Sequence, residues 1–114
     1  MEQTYTIFVL ARATPAWLRL SRDEHKQFAK TEFANCLVDF PSVTLRLFDA
    51  EAFTSVCSDV FMFTAPSLPD YCAVMDRLRS SKVMTEPYFE FLETITSVED
   101  TFRGMAENQR ENHQ

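Results

Sequence analysis

The chain has 114 residues, 46% of them hydrophobic and 25% charged, which is one ordinary domain, long enough to bury a core without a metal or disulfide. Eleven Lys and Arg against seventeen Asp and Glu give a net charge of −6, with no basic run of the kind that tracks phosphates, so neither nucleic acid nor an anionic membrane is an expected partner. The lone glycine, Gly104, excludes glycine-rich nucleotide loops, and two histidines, His25 and His113, exclude a His-rich metal site, so no metal and no resident cofactor is expected.

Residues 5–12 are rich in β-branched and aromatic side chains and predict a strand. Thr14-Pro15-Ala16-Trp17-Leu18 then predicts a turn or a short helical entry. Ser21-Arg22-Asp23-Glu24 has the form of a capping box, with Ser21 as N-cap and Glu24 reaching back. A helix follows as far as residue 39, and Phe28, Ala29, Phe33, Cys36, Leu37 and Phe40 make its buried stripe. Pro41 ends it. Residues 43–48 alternate as a half-buried strand, and residues 49–56 read as a loop with a helical turn. A third strand covers residues 57–64. Ser67, three residues before Asp70, caps a second helix with Pro69 in its first turn. Leu68, Tyr71, Cys72, Met75 and Leu78 form its stripe, and it frays near Ser80. A fourth strand covers residues 88–96, after Pro87. Ser97-Val98-Glu99-Asp100 opens a short terminal helix with Val98, Phe102 and Met105 on one side. Residues 107–114 hold no apolar side chain and predict a disordered polar tail.

The order β-α-β-β-α-β predicts one α+β domain over residues 1–106, with a ferredoxin-like four-stranded antiparallel sheet and both main helices on one face. Strand alternation puts Ile7, Val9, Val43, Leu45, Leu47, Val60 and Met62 toward the helices. It puts Phe8, Leu10, Arg12, Arg46, Phe48, Asp59, Phe61 and Phe63 on the opposite face. In the last strand Phe89, Phe91 and Ile95 suit the helix side, which leaves Tyr88, Glu90 and Leu92 opposite. So many aromatics exceed what a monomer leaves in water. A homodimer with its sheets face to face would use the aromatics as a seal and line a cavity with the charges. The other available cover is the loop at residues 49–56 together with the terminal helix.

Several residues on that face can carry chemistry. Arg12 and Arg46 can hold a carboxylate or phenolate bidentately, or each can pair with Asp59 or Glu90 and fix register. Asp59 and Glu90 can act as acid and base if a cavity separates their pKa values; their other role is a salt bridge. Trp17, just past a strand end, can stack on an aromatic ligand or serve in packing. Tyr88 offers a hydroxyl to a ligand, or a ring to the core or interface. The acids in Asp49-Ala50-Glu51-Ala52-Phe53 lack the further oxygens and the glycine of a hard-cation site and read as a solvated loop. His25, in a first helical turn, reads as a surface residue, and the histidine supply permits no Ser-His-Asp, Cys-His or H-E-x-x-H arrangement. Cys36, Cys57 and Cys72 have no metal or redox spacing and read as buried free thiols, with an accessible Cys57 as the alternative. Free thiols suit the cytoplasm. The opening apolar stretch is broken by Arg12 and lacks a basic flank, so it reads as neither signal peptide nor membrane span.

The run Thr6-Ile7-Phe8-Val9-Leu10-Ala11-Arg12-Ala13-Thr14-Pro15-Ala16-Trp17-Leu18, followed by Leu20-Ser21-Arg22-Asp23-Glu24, resembles the start of the darcynin family. Arg46-Leu47-Phe48-Asp49-Ala50-Glu51-Ala52-Phe53, Cys57-Ser58-Asp59-Val60 and Pro87-Tyr88-Phe89-Glu90 resemble it too. The resemblance spans residues 4–105 and implies a shared fold and a bacterial origin, with no activity attached. More loosely, the layout is similar to the dimeric α+β barrel superfamily, which includes small monooxygenases, isomerases of ring compounds and haem-degrading proteins. Many of those place a His or Asn near the pocket; this chain has no Asn in a predicted strand, so no catalytic residue carries over. The expected function is a small dimeric protein that binds an aromatic or carboxylated metabolite at the sheet face. Arg12 and Arg46 would anchor charge, Trp17 and Phe61 would stack, and Asp59 would orient an arginine. The alternatives are an interaction module without a small ligand, and a cofactor-independent monooxygenase- or isomerase-like enzyme with Asp59 or Glu90 as base.

Overall fold

The computed structural model describes residues 3–100. β1 (Tyr5–Ala13) leads through Thr14 into a one-turn helix, α1 (Pro15–Leu18). Ser21 then closes the expected capping box: its hydroxyl accepts from the Glu24 N–H at 3.1 Å, and the Glu24 carboxylate accepts from the Ser21 N–H at 3.0 Å. Helix α2 (Arg22–Phe28) starts there and continues through a π-helical turn (Ala29–Phe33) into α3 (Ala34–Leu37). Periodicity alone predicts one regular helix here, and the π turn has a simple cause. Phe28 and Phe33 are both buried and five residues apart. On a regular α-helix that spacing turns the second ring roughly 140° from the first. A wider i→i+5 turn returns both rings to the sheet side, where they meet edge to face at 5.6 Å.

β2 (Thr44–Asp49) and β3 (Asp59–Ala65) follow, then α4 (Leu68–Ser80), with the Ser67 hydroxyl accepting from the Asp70 N–H at 3.3 Å. Tyr71, Val74, Met75 and Leu78 are the buried stripe of α4, and Cys72, expected inside, lies on its exposed side. The expected fraying is a break at Ser81, after which a short helix, α5 (Lys82–Thr85), leads into β4 (Phe89–Val98). Ser97 and Val98 finish β4 instead of opening a helix: both pair with β1, and the Ser97 hydroxyl donates to the Thr6 carbonyl at 2.8 Å. The rest of that expected helix and the polar tail lie outside the described residues.

The sheet order is β2-β3-β1-β4, with every neighbouring pair antiparallel, as expected for a ferredoxin-like α+β fold. Register decides which side chains face the helices, because opposed residues in an antiparallel ladder share a face. Ile7, Val9 and Ala11 are fully buried and stand opposite Phe63, Phe61 and Asp59. Phe61 and Phe63 are therefore core residues, at 2% and 0% exposure. Val60 and Met62 turn outward, opposite Leu10 and Phe8. This reverses the expected faces of β3 and puts Asp59 on the helix side. The reason is that Val60-Phe61-Met62-Phe63 is apolar at every position, so alternation offers no contrast. The choice falls to volume, and phenyl rings fill the layer between sheet and helices.

β4 contains a second reversal. Ala11 pairs with Phe91 but Leu10 pairs with Glu93, so Leu92 is an extra residue at a β-bulge. Phe89 and Phe91 face the helices as expected. Beyond the bulge the phase flips, and Ile95, opposite Phe8, sits on the outer face at 46% exposure rather than in the core.

Candidate functional site

The seven candidate residues fall into two groups on opposite sides of the sheet. Trp17, Asp59, Phe61 and Tyr88 are on the helix side. Arg12, Arg46 and Glu90 are on the outer side.

On the helix side the anchor is Thr14, a buried N-cap whose hydroxyl donates to the Pro87 carbonyl at 2.6 Å. Its N–H donates to the Tyr88 carbonyl at 3.0 Å. These bonds clamp α1 to the start of β4 and bring Trp17 against Tyr88 and Phe89, at 5.7 and 4.8 Å between centroids. The His25 ring stacks on the indole at 4.0 Å, and Phe28 meets it edge to face at 5.4 Å. Trp17 is thus a packing hub. His25, expected on the surface, is half-buried. Tyr88 is half-buried among these same rings, on the helix side rather than the outer one. Phe61 makes edge-to-face contacts with Phe33, Phe89 and Phe91, which occupy the positions a stacking ligand would need.

Asp59 closes this end of the sheet. The Ala13 N–H donates to the Ser58 hydroxyl at 2.7 Å, and that hydroxyl donates to Asp59 Oδ2 at 2.7 Å. Burial pushes the Asp59 carboxyl above its ordinary range; the Ser58 bond opposes this, the Asp49 charge adds to it, and the His25 charge opposes it. Asp49 stands directly across the ladder from Asp59. The two carboxylates share a face with neither arginine, so Asp59 does not orient Arg12 or Arg46.

The outer face has an apolar centre of Phe8, Leu10, Phe48, Val60, Met62 and Ile95, none of which joins the core cluster. The loop expected to cover it leaves Phe53 at 88% and Val56 at 61% exposure. Charged residues frame that centre. Arg12 stands opposite Glu90, and its Nη2 donates to the Val56 carbonyl at 3.1 Å. The Arg46 guanidinium lies over the Phe48 ring, 5.1 Å from its centroid. Among the described residues the ion pairs are Arg77–Asp39 and Arg79–Asp76, so neither arginine is neutralised by Asp59 or Glu90. Strand geometry puts the Arg12 and Arg46 backbones about 16 Å apart, with β3 between their strands. In this structure the two guanidiniums rest at separate partners, Arg12 at the Val56 carbonyl and Arg46 over Phe48, and are not brought together. Sequence reasoning missed Glu93, which the β4 bulge puts on the outer face beside Leu10; no local signal marks that bulge.

The family model described as "Darcynin, domain of unknown function" matches residues 1–110. The chain belongs to the darcynin family. A darcynin of Chromobacterium violaceum is 55% identical over 64 residues, which cover 56% of this chain and 81% of that protein. Darcynin 1 of Acinetobacter baumannii is 38% identical over 85 residues, 75% of this chain and 94% of that one. Among solved structures, a haem-binding protein of Thermus thermophilus superposes with a TM-score of 0.71 at 13% identity. Chlorite dismutase of Candidatus Nitrospira defluvii, in complex with imidazole, superposes with a TM-score of 0.68 at 12% identity. Each comparison covers 88% of this darcynin, which spans 42% of the solved chain. At such identities the likeness is one of fold.

Proposed function

We propose that this darcynin works as a homodimer joined through its outer sheet faces, and that it binds a small aromatic or carboxylated metabolite there. The observation that carries this reading is the apolar face of Phe8, Leu10, Val60 and Met62, which no described element covers, framed by arginines that have no carboxylate partner among the described residues. Four strands make that face about 20 Å wide, and so broad an apolar patch on a small protein marks an interaction site. The length comparison adds support, since two copies of a chain spanning 42% of the solved neighbours come close to one neighbour chain.

Arg12 is the anion anchor in this reading. The Val56 carbonyl holds one of its nitrogens and leaves further donors for a carboxylate. Glu90, opposite it, limits where the guanidinium points, and Leu10 offers an apolar wall to the rest of the ligand. The Thermus neighbour's description raises haem as a candidate. The described residues offer it no histidine on the outer face: His25, the one described histidine, lies among the rings of the helix side with Nε2 at the Trp17 carbonyl. Three free cysteines support a reducing, cytoplasmic home.

Native mass spectrometry of freshly purified protein tests both parts. A dimer carrying a reproducible small-molecule mass is expected, and Arg12→Met should lose that mass while staying dimeric. A dimer without any adduct would favour an interaction module and overturn the ligand. A monomer would overturn the assembly.

A further inference from the structure

We infer that the two copies pack with β2 of one over β4 of the other, so that Arg46 meets Glu93 of the partner subunit. The inference rests on the face-to-face dimer proposed above and fixes its orientation.

The two edges of the outer face carry opposite charge. β2, at one edge of the sheet, presents Arg46 and Phe48. β4, at the other edge, presents Glu90, Glu93 and Ile95. The face is thus cationic along one edge and anionic along the other. Within one chain β3 and β1 lie between those edges, so Arg46 and Glu93 cannot meet. Both are exposed.

In the aligned class of face-to-face packing the strands of two sheets stay within about 30° of each other, and a two-fold axis in the interface allows two such arrangements. An axis running across the strands puts β2 on β2 and β4 on β4. Arg46 then shares an edge with Arg46 of the partner subunit, and Glu90 and Glu93 share the other edge with their own copies. An axis running along the strands puts β2 on β4 at both edges, so the Arg46 edge of one copy meets the glutamate edge of the other. Like charges brought together in a desolvated interface cost far more than opposite charges do.

Register supports the second arrangement. Arg46, Met62, Phe8 and Ile95 form one row across the sheet, and Phe48, Val60, Leu10 and Glu93 form a neighbouring row. With the axis along the strands, Arg46 lies over the row of Ile95, and the glutamate is two residues away, about 7 Å. An arginine side chain spans that distance. The stem of Arg46 and the Phe48 ring would then cover Ile95, which is 46% exposed in the single chain.

Sedimentation equilibrium on charge-reversed variants tests the orientation. Arg46→Glu and Glu93→Arg should each weaken dimerisation by about tenfold or more. The double variant should return to within about threefold of wild type, because the pair is restored in reverse. If both single variants weaken the dimer and their effects simply add, the Arg46–Glu93 contact is wrong while the dimer stands. If Arg46→Ala tightens the dimer, β2 lies on β2 and the orientation is overturned. If Phe8→Glu leaves a wild-type dimer intact, the copies use another surface, and the face-to-face reading fails with this one.

Discussion

The His25 imidazole lies flat against the Trp17 indole, with 8° between the ring planes, while its Nε2 sits 2.8 Å from the Trp17 carbonyl oxygen. A carbonyl only accepts, so Nε2 carries the hydrogen of this bond. Trp17 is the one tryptophan of the chain, so indole emission reports the surroundings of this ring alone. His25→Ala should uncover one face of the indole to water and shift its emission to longer wavelength. An unchanged spectrum would mean that the stack does not persist in solution.

The two faces of β3 can be told apart by neighbouring substitutions. Phe61 is buried against Phe33, Phe89 and Phe91, so Phe61→Ala should cost about 3–5 kcal/mol in a urea melt. Met62 points away from that core. Met62→Ala should cost no more than about 1 kcal/mol in the fold itself and act mainly on self-association. Equal losses at the two positions would contradict the register.

Those two positions also mark where the sequence stops being legible. Caps are readable because one serine and the residue three places on carry the whole signal, as at Ser21 and Ser67. The strand order follows from element order and chain connectivity. The facing of β3 does not follow, since Phe61 and Met62 are alike in polarity and differ only in how they fill the layer beneath the helices. The β4 bulge at Leu92 is invisible for a related reason: it exists only in relation to Leu10 and Ala11 on another strand. Both features bear on the site: the facing of β3 separates Asp59 from the arginines, and the bulge brings Glu93 to the outer face.

Asp59 makes stability depend on pH. Burial is the largest cause of its raised pKa, so the fold favours the protonated carboxyl. That contribution is fully present below the unfolded pKa, about 3.9, and is lost as pH rises through the folded value. At neutral pH the ionised carboxylate therefore opposes folding. Asp59→Asn should melt at a higher temperature than wild type at pH 7, and the two curves should converge below about pH 3. A lower melting temperature for the variant at pH 7 would show that the Ser58 bond to the carboxylate outweighs burial.

The thiols should separate by access. Cys72 is exposed on α4, while Cys36 and Cys57 are buried, and burial pushes the Cys36 thiol up. Alkylation of the native protein should modify Cys72 well before the other two, with all three reacting after denaturation. Peptide mapping by mass checks this. Rapid labelling of Cys57 would show that the loop at residues 50–58 opens.

The π-helical turn at Ala29–Phe33 makes the helix two pieces joined out of step by one residue. Forcing this sequence into an unbroken α-helix would swing one piece by about 100° relative to the other. Either Phe28 would leave the sheet, taking His25 and its stack on Trp17 with it, or Phe33 and Cys36 would. Deleting Lys30 has the opposite effect: it puts the two phenylalanines four residues apart, where a regular helix keeps both on one face. The wide turn thus absorbs a single surplus residue. A natural length variant one residue shorter at this point would keep the same packing on an ordinary α-helix.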